Sequence, residues 1–347
     1  MIPDPLAGFV YQAIPGFEDH LKKELETTLR DVRGSLFFTC PPADQARPVI
    51  DAAGARVPAA AASAHAAPVF WHQNCWLEPF RLEFDSINEA ASALRGIQRN
   101  WAACLFTQFR RGSLIASKLP SLSAKPRPFP WLLPDSPVGA WTLFDAHTMI
   151  ASARCTSPFP GGVIEFAEDR LGPPSRAYLK LWEALTLLRR RPAPGERCLD
   201  AGASPGGWTW ALARLGARVI AVDRAPLDPR AAALPGLEFI KHDALTLRPE
   251  DLGPVDWLFC DVICYPPRLF GWIGKWLASG LCRNFVCTIK MQGKAGDSAE
   301  TGATAEFGTG GDGPADFETP RRFAAIPGSQ VVHLYHNKHE LTWLKTE

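Results

Sequence analysis

The sequence lacks the cysteine spacings that bind zinc or build disulfide frameworks. Its 9 cysteines are odd in number and scattered over 347 residues, and no two stand in a C-x-x-C arrangement. Structural zinc sites and disulfide-rich domains both depend on regular, paired spacings. The sequence therefore predicts no bound metal, and it predicts free, buried thiols of the kind found in a reducing cytoplasm.

Long apolar runs and an excess of one charge are also missing. No apolar run is long enough to cross a bilayer, and residues 1–5 have neither the basic start nor the apolar core of a signal peptide. The formal net charge is +1, so only a local basic patch could indicate a nucleic-acid partner. These absences predict a cytoplasmic chain without a membrane partner. The length and the 46% apolar content suffice for about two domains with sizeable cores.

One stretch of the second half indicates a strand, a glycine-rich turn and the start of a helix. The turn reads Asp200-Ala201-Gly202-Ala203-Ser204-Pro205-Gly206-Gly207-Trp208. It has neither the G-x-G-x-x-G order of dinucleotide-binding proteins nor the G-K-[ST] of a phosphate loop. Its glycines allow close approach of a ligand to the main chain, and its acid suits a ligand with a positive charge and hydroxyls, such as S-adenosylmethionine (SAM). A plain structural connection, with Trp208 in the core, would have the same pattern.

Three further apolar strands each end at an acid, as the first one does. These predicted strands cover 218–223, 237–243 and 256–261, and the four acids are Asp200, Asp223, Asp243 and Asp261. Ligands of doubly wound sheets bind at the carboxyl ends of the strands, where an acid often accepts ribose hydroxyls. The pattern predicts a SAM site at this edge, with Asp223 on the ribose hydroxyls and Asp243 near the adenine.

The order of predicted elements divides the chain into two domains. Strands and helices alternate from 173 to Lys290, which predicts an α/β fold with a parallel sheet covered on both faces, closed by a hairpin near the C-terminus. A helix capped by Ser175 precedes the first strand. The front region, 1–155, reads as a smaller α+β domain, followed by a linker over 156–172. The segment 292–316 is rich in Gly, Ala, Asp, Thr and Ser and is expected to be flexible.

A loose basic stretch in the front region has aromatic residues beside it. Its members are Arg110, Arg111, Lys118, Lys125 and Arg127, with Phe129 and Trp131 nearby. Basic residues interleaved with aromatics are typical of RNA-binding surfaces, but a solvated, proline-rich surface has the same composition. Both interpretations stay open at this level.

Residues 173–347 resemble the FtsJ-like ribose 2′-O-methyltransferases of ribosomal RNA. The matching pieces are Ser175-Arg176-Ala177-Tyr178-Leu179-Lys180-Leu181, the turn from Asp200 to Trp208, Cys260-Asp261, Thr288-Ile289-Lys290 and His339-Glu340-Leu341-Thr342. The family uses a Lys-Asp-Lys-Glu tetrad, and Lys180, Asp261, Lys290 and Glu340 match it in order. The resemblance implies that these four are catalytic and that Ser175 and Asp261 also border the cofactor.

The resemblance further implies a Rossmann-like SAM-dependent methyltransferase sheet, SAM as cofactor and RNA rather than DNA as partner. Within the family the chain is most similar to the RlmM type, which methylates a cytidine of large-subunit rRNA and has an N-terminal THUMP-containing RNA-binding region. Residues 1–155 are therefore expected to form an RNA-binding domain that is THUMP-like or degenerate. The front region of this chain is shorter than that of the RlmM type. The glycine-rich segment before Pro320 stands where the family has a helical stretch.

The proposed chemistry needs a lysine that can accept the proton of a ribose hydroxyl. Lys290 is predicted to be this base, with Lys180 as a neighbouring cation and with Asp261 and Glu340 orienting the amines. Burial and a nearby cation lower a lysine pKa, whereas carboxylate contacts raise it. The sequence does not rank these effects.

Two other functions remain open from the sequence. The chain could methylate the 2′-hydroxyl of another RNA, such as tRNA, or it could be a noncatalytic RNA-binding or ribosome-assembly protein on the same scaffold. The intact Lys-Asp-Lys-Glu set argues against the noncatalytic function. SAM binding without methyl transfer to any RNA would favour it.

Overall fold

The computed structural model describes residues 3–39, 68–123, 125–291 and 317–347. The chain forms two compact units, Met1–Phe166 and Ala167–Glu347. The division between them falls inside the stretch 156–172 that the sequence predicts as a linker. The segment predicted to be flexible, 292–316, lies outside the described residues.

The described part of the first unit is α+β, as predicted, and contains two sheets. Its described strands and helices are β1 (Asp4–Pro5), β2 (Val10–Gln12), α1 (Glu18–Leu25), β3 (Leu29–Arg33), β4 (Leu36–Thr39), β5 (Asn74–Trp76), β6 (Phe80–Glu83), α2 (Ile87–Ile97), β7 (Trp101–Ala103), α3 (Phe109–Ala116), β8 (Gly139–Leu143) and β9 (Thr148–Ser152). One sheet has the order β3-β4-β2-β5 and is antiparallel throughout. The other has the order β1-β6-β9-β8-β7, in which β7 and β8 are parallel.

Helix α2 shows how the first unit builds its core. Ser86 caps the helix, because its hydroxyl accepts a hydrogen bond from the backbone N–H of Glu89 at 3.2 Å. The apolar face of α2, with Leu94 fully buried, packs against Trp141 and Met149 of the second sheet. The amphipathic pattern of the sequence therefore places this helix on that sheet.

The described residues of the second unit form one seven-stranded sheet with helices around it. Its described strands and helices are α4 (Tyr178–Leu187), β10 (Arg197–Ala201), α5 (Gly207–Arg214), β11 (Arg218–Asp223), α6 (Pro229–Ala232), β12 (Leu237–Lys241), α7 (Pro249–Leu252), β13 (Trp257–Cys260), α8 (Pro266–Ser279), β14 (Asn284–Lys290), α9 (Glu318–Ala324), β15 (Ser329–Val332) and β16 (Glu340–Lys345). The strand order is β12-β11-β10-β13-β14-β16-β15. The first five of these strands are parallel, and β16 is antiparallel to both its neighbours. The predicted parallel sheet and its closing hairpin are confirmed.

The strand order reverses direction between β10 and β13. From β10 the chain proceeds to β11 and β12 on one side, and later to β13 and β14 on the other. Crevices at the carboxyl ends of parallel strands form at such a reversal, and ligands of doubly wound sheets bind there. The topology therefore points to the carboxyl ends of β10 and β13 as the centre of the candidate site.

The core explains why the central strands read as continuous apolar runs. Phe285, Val286, Cys287 and Ile289 of β14 are all fully buried, as expected for a strand covered on both faces. Each of the eight cysteines in the described part of the chain is a free thiol. Within these same residues, no three or more His, Cys, Asp or Glu side chains are arranged to hold a metal. No described helix has both the length and the apolar character to span a membrane.

Candidate active site

The glycine-rich turn lies between β10 and α5 and is packed closely against its neighbours. Gly202 and Gly206 have φ values of +81° and +115°, in the region that favours glycine. A Cβ atom at Gly202 would lie 2.7 Å from Val262 Cγ2, and one at Gly206 would lie 2.5 Å from Ala231 Cβ. From the sequence, the role expected of these glycines is to let a ligand approach the main chain. In the structure, contacts within the chain already require both glycines.

The other residues of the glycine-rich turn contact the segments that lie beside the turn. A Cβ at Gly207 would lie 2.4 Å from Ser175 Oγ, so Ser175 packs directly against the start of α5. The Pro205 carbonyl accepts a hydrogen bond from the backbone N–H of Asp228 at 3.0 Å. Ser175 is not the N-cap of α4, because that helix begins at Tyr178. The Ser175 hydroxyl instead accepts a 3.4 Å bond from the N–H of Ala177 in the preceding turn.

Asp200 lies beneath the turn and is fully buried. Its Oδ2 accepts a 2.6 Å hydrogen bond from the Thr209 hydroxyl on α5, while Oδ1 has no hydrogen-bond partner among the described residues. Burial raises the pKa of the Asp200 carboxyl to about 7, a shift that the Thr209 bond only partly opposes. Asp200 therefore supports the turn from inside the fold and does not present its carboxyl group at the surface.

Asp223 and Asp243 lie at the same edge and are partly exposed. Asp223 accepts hydrogen bonds from the backbone N–H groups of Ser204 at 3.0 Å and Ala225 at 2.9 Å. Asp243 accepts one from the N–H of Leu245 at 3.1 Å and pairs with Arg268 at 3.0 Å. A carboxylate has about four lone-pair sites, so each acid keeps acceptor capacity for a ligand.

Four charged side chains from separate parts of the second unit contact one another at the carboxyl end of β13. They are called here the charge quartet: Lys180, Asp261, Lys290 and Glu340. Lys180 of α4 donates to Asp261 Oδ2 and to Glu340 Oε1, both at 2.8 Å. Lys290 donates to Asp261 Oδ1 at 2.5 Å and also to Glu340 Oε2. Lys290 and Glu340 are paired residues of β14 and β16. Each lysine therefore bridges both carboxylates, and the formal charges of the quartet cancel.

The charge quartet is largely shielded from water. Its side chains are between 9% and 17% exposed. The buried indole of Trp208 lies near the Lys180 amine, with Lys180 Nζ 5.9 Å from the ring centre, and donates to the Ala177 carbonyl at 2.8 Å. Such shielding strengthens every charge interaction within the group.

Thr288 is a site residue that the sequence interpretation did not assign. Its hydroxyl donates to Asp261 Oδ1 at 2.7 Å. Alternate residues of a strand share a face, so Thr288 points to the same side of β14 as Lys290. That two-residue spacing was the signal in the sequence that could have identified it.

Carboxylate contacts dominate the electrostatics of Lys290. Burial lowers the pKa of Lys290, but attraction to Asp261 and Glu340 and the hydrogen bonds to both outweigh it, so the pKa lies above its ordinary value. Burial likewise opposes ionisation of Asp261, but the attraction of Lys290 and Lys180 prevails and its pKa is lowered. The structure thus ranks the effects that the sequence left open, and Lys290 is held protonated.

The chain is similar to known methyltransferases. Residues 173–270 match the model of the FtsJ-like methyltransferases, a range that includes Lys180 and Asp261 and ends before Lys290 and Glu340. A ribosomal RNA large subunit methyltransferase M from Azoarcus sp. (strain BH72) is 40% identical over 144 residues, covering 40% of this chain and 38% of that protein. Proteins of the same name from Aromatoleum aromaticum and Laribacter hongkongensis are 36% identical over 175 residues (48% of this chain, 44% of the relative) and 32% over 200 residues (56% and 53%). The chain therefore spans about half the length, or less, of these curated relatives.

Proposed function

We propose, from the FtsJ-like match and the charge quartet, that this chain transfers the methyl group of SAM to a ribose 2′-hydroxyl of RNA. The names of its relatives point to large-subunit ribosomal RNA as the target, and the resemblance to the RlmM type adds a cytidine of that RNA. The observation that carries the proposal is the convergence of Lys180, Asp261, Lys290 and Glu340 at the carboxyl edge of β13. A noncatalytic scaffold has no need of two buried lysines that each bridge the same two carboxylates.

The carboxyl edge of the sheet suits SAM as the cofactor. Asp223 would accept the ribose hydroxyls and Asp243 would lie near the adenine, because both carboxylates are accessible and keep free acceptor sites. The turn from Gly202 to Gly207 would border the ligand, with Ser175 and Trp208 packed behind it. Bound SAM supplies an electrophilic methyl group on a positively charged sulfur. Asp261 would face both the cofactor and the RNA.

Calorimetry with SAM tests the cofactor assignment at Asp223. Replacing Asp223 by Ala should weaken SAM binding by about 1–3 kcal/mol, because the ribose hydroxyls lose a charged acceptor. The same substitution removes a hydrogen bond to the N–H of Ser204, so thermal unfolding serves as the control for stability. An unchanged affinity in a folded variant would remove Asp223 from the site.

Within the quartet, we assign the role of base to Lys290. A neutral Lys290 amine can accept the proton of the attacking hydroxyl, while Lys180 and the two carboxylates fix its position. Because Asp261 and Glu340 hold Lys290 protonated, it must first release its own proton to solvent before it can accept the proton of the hydroxyl. Placing the hydroxyl in line with the transferred methyl group is the other main contribution of the chain.

We further propose that the first unit supplies RNA affinity. Arg110, Lys118 and the aromatic Phe109 are exposed near one another in sequence, with the Phe109 residue 61% accessible. The Arg127 guanidinium lies over the Trp131 ring at 4.8 Å, in an arrangement that also suits stacking against nucleobases.

The decisive test is methylation by the purified chain with methyl-labelled SAM. The labelled RNA should yield dinucleotides that resist alkaline cleavage, because methylation removes the 2′-hydroxyl that attacks the phosphodiester. A Lys290→Ala variant, which should still bind SAM, is the matched control. Mapping of ribose methylation in total RNA from cells with and without the protein would then identify the RNA. Label found in tRNA alone would replace the rRNA assignment, and SAM binding without any transfer would overturn the enzymatic function.

A further inference from the structure

A further buried carboxylate, which has no part in the proposed chemistry, lies one helical turn from a member of the charge quartet. Glu183 is on α4, one helical turn after Lys180, and its side chain is 4% exposed. It accepts hydrogen bonds from the backbone N–H of Tyr335 at 2.8 Å and from that of His336 at 3.0 Å. His336 Nδ1 lies 2.7 Å from Glu183 Oε2. A buried carboxylate is tolerated only when it is well paired, and all three of these contacts come from two consecutive residues.

Those two residues begin the return segment, 335–339, which is the later part of the connection between β15 and β16 and leads directly into Glu340. Helix α4 therefore holds this part of the chain at two points. Glu183 holds its start, and Lys180 donates to Glu340 at its end, at 2.8 Å. The return segment is also bonded to the chain just after β14, the strand that carries Lys290. The His339 carbonyl accepts a 3.1 Å hydrogen bond from the backbone N–H of Met291, the residue after Lys290.

We propose that Glu183 and His336 are positioning residues that set where Glu340 meets the two lysines. The proposal rests on the methyltransferase function proposed above. Glu183 and Lys180 are on one rigid helix, so fixing the return segment to Glu183 fixes the distance from Glu340 to the Lys180 amine. Glu340 in turn contacts Lys290, so a shift of the return segment would displace a carboxylate from both lysines.

A carboxylate is required for this contact because both of its oxygens are used. One oxygen accepts from Tyr335, and the other accepts from the backbone of His336 and contacts its ring. In a Glu183→Gln variant, one of these oxygens becomes an NH₂ group, which faces an N–H donor and cannot accept from it. The volume is nearly unchanged, so the variant removes one of the two acceptor oxygens with little effect on packing.

The test compares Glu183→Gln with the wild type in single-turnover methyl transfer, SAM calorimetry and amide hydrogen exchange of the peptide covering 333–339. The expected result is a transfer rate lowered about tenfold to a hundredfold, with SAM affinity within about twofold of the wild type and faster exchange at Tyr335 and His336. Thr186→Val is the matched control, because the buried Thr186 hydroxyl bonds within α4 to the Trp182 carbonyl. It should leave the rate and the exchange unchanged.

A Glu183→Gln rate within about twofold of the wild type would overturn the proposal, as would unchanged exchange or an equal loss in Thr186→Val. Should Glu183→Gln fail to fold, His336→Ala keeps the proposal testable. It removes the imidazole that contacts Glu183, together with the packing of that ring against Tyr335, and leaves both backbone hydrogen bonds to Glu183 in place. It should lower the rate about threefold to tenfold, and an unchanged rate would refute the positioning role. A wild type that methylates no RNA would instead refute the proposed function, while the exchange measurement would still decide whether Glu183 holds the return segment.

Discussion

Lys290 experiences two opposing influences, burial and contact with carboxylates. The carboxylates prevail, so the amine is mostly charged near neutral pH. A base must be neutral to accept a proton, and the neutral fraction of a group with a raised pKa grows as the pH rises. If Lys290 is the base, the chemical step should therefore become faster in alkaline solution.

We expect the single-turnover rate of methyl transfer to rise about tenfold per pH unit between about pH 6 and pH 9. Lys290→Arg should be inactive across this range, because a guanidinium group stays protonated and cannot accept the proton. SAM affinity of the variant, measured at each pH, controls for loss of binding. A flat pH profile, or an arginine variant with a near-normal rate, would show that position 290 needs only a positive charge.

The raised pKa of Asp200 predicts that its contribution to stability falls as the pH rises. The contribution of an ordinary salt-bridged acid changes in the opposite direction. An unfolded Asp titrates near pH 4, whereas the folded Asp200 titrates at about 7. Between these values the folded chain binds a proton that the unfolded chain has lost. The contribution of Asp200 is therefore fully present below about pH 4, is lost as the pH rises towards 7, and is constant above that.

An Asp200→Asn variant lacks this titration and can still accept the hydrogen bond of Thr209. Its free energy of unfolding, relative to the wild type, should improve by up to about 4 kcal/mol from pH 4 to pH 8. Urea unfolding at several pH values measures the difference. Parallel stability curves for the two proteins would mean that Asp200 is ionised in the folded chain across the whole range.

The sequence specified the members of the charge quartet but not their contacts. Lys180, Asp261, Lys290 and Glu340 were identified by resemblance, and their convergence follows from the strand order. The direction of the Lys290 pKa shift depends on whether its contacts with Asp261 and Glu340 outweigh its burial, and no residue pattern encodes that balance. Glu183 and His336 are 153 residues apart, so their contact could not be predicted from local spacing.

At the level of elements, the turn between β10 and α5 depends most on backbone geometry. An alanine at Gly206 would combine a strained φ of +115° with a Cβ only 2.5 Å from Ala231. We expect Gly206→Ala to lower the free energy of unfolding by about 2–4 kcal/mol, from strain and overpacking together.

Gly271 offers a matched control in α8, since a Cβ there would meet nothing within 4 Å. Gly271→Ala should raise stability by about 0.5–1 kcal/mol, because alanine favours helix. Chemical denaturation of both variants measures the effects. Equal stability of Gly206→Ala and the wild type would mean that α5 and α6 can move apart at no cost.

The elements themselves were largely predictable, and the exceptions have physical causes. The parallel strands were found because strands buried on both faces are continuously apolar. The start of α4 was predicted too early, at Ser175, because a serine before an apolar run looks like a helix cap. In the structure that serine packs against Gly207, a contact from a distant part of the chain that outweighs the local signal.

On the scale of the whole molecule, the two units are expected to divide binding between them. A fragment covering 167–347 contains the complete charge quartet and the proposed SAM edge, so it should keep SAM affinity close to that of the full chain. It should lose most of its RNA affinity. The RNA affinity of the full chain should fall steeply with salt, because phosphate contacts release counterions. Calorimetry with SAM and RNA titrations at two salt concentrations check this division, and a fragment with full RNA affinity would refute it.

The pairing of β14 with β16 has a consequence for the order in which the site can form during synthesis. Glu340 is the last member of the charge quartet to be translated, 50 residues after Lys290. A nascent chain that has reached β14 already has both lysines but only Asp261 between them, so the unfinished site carries a surplus positive charge. That surplus is neutralised only when β16 aligns beside β14, which makes insertion of this strand the event that completes the centre.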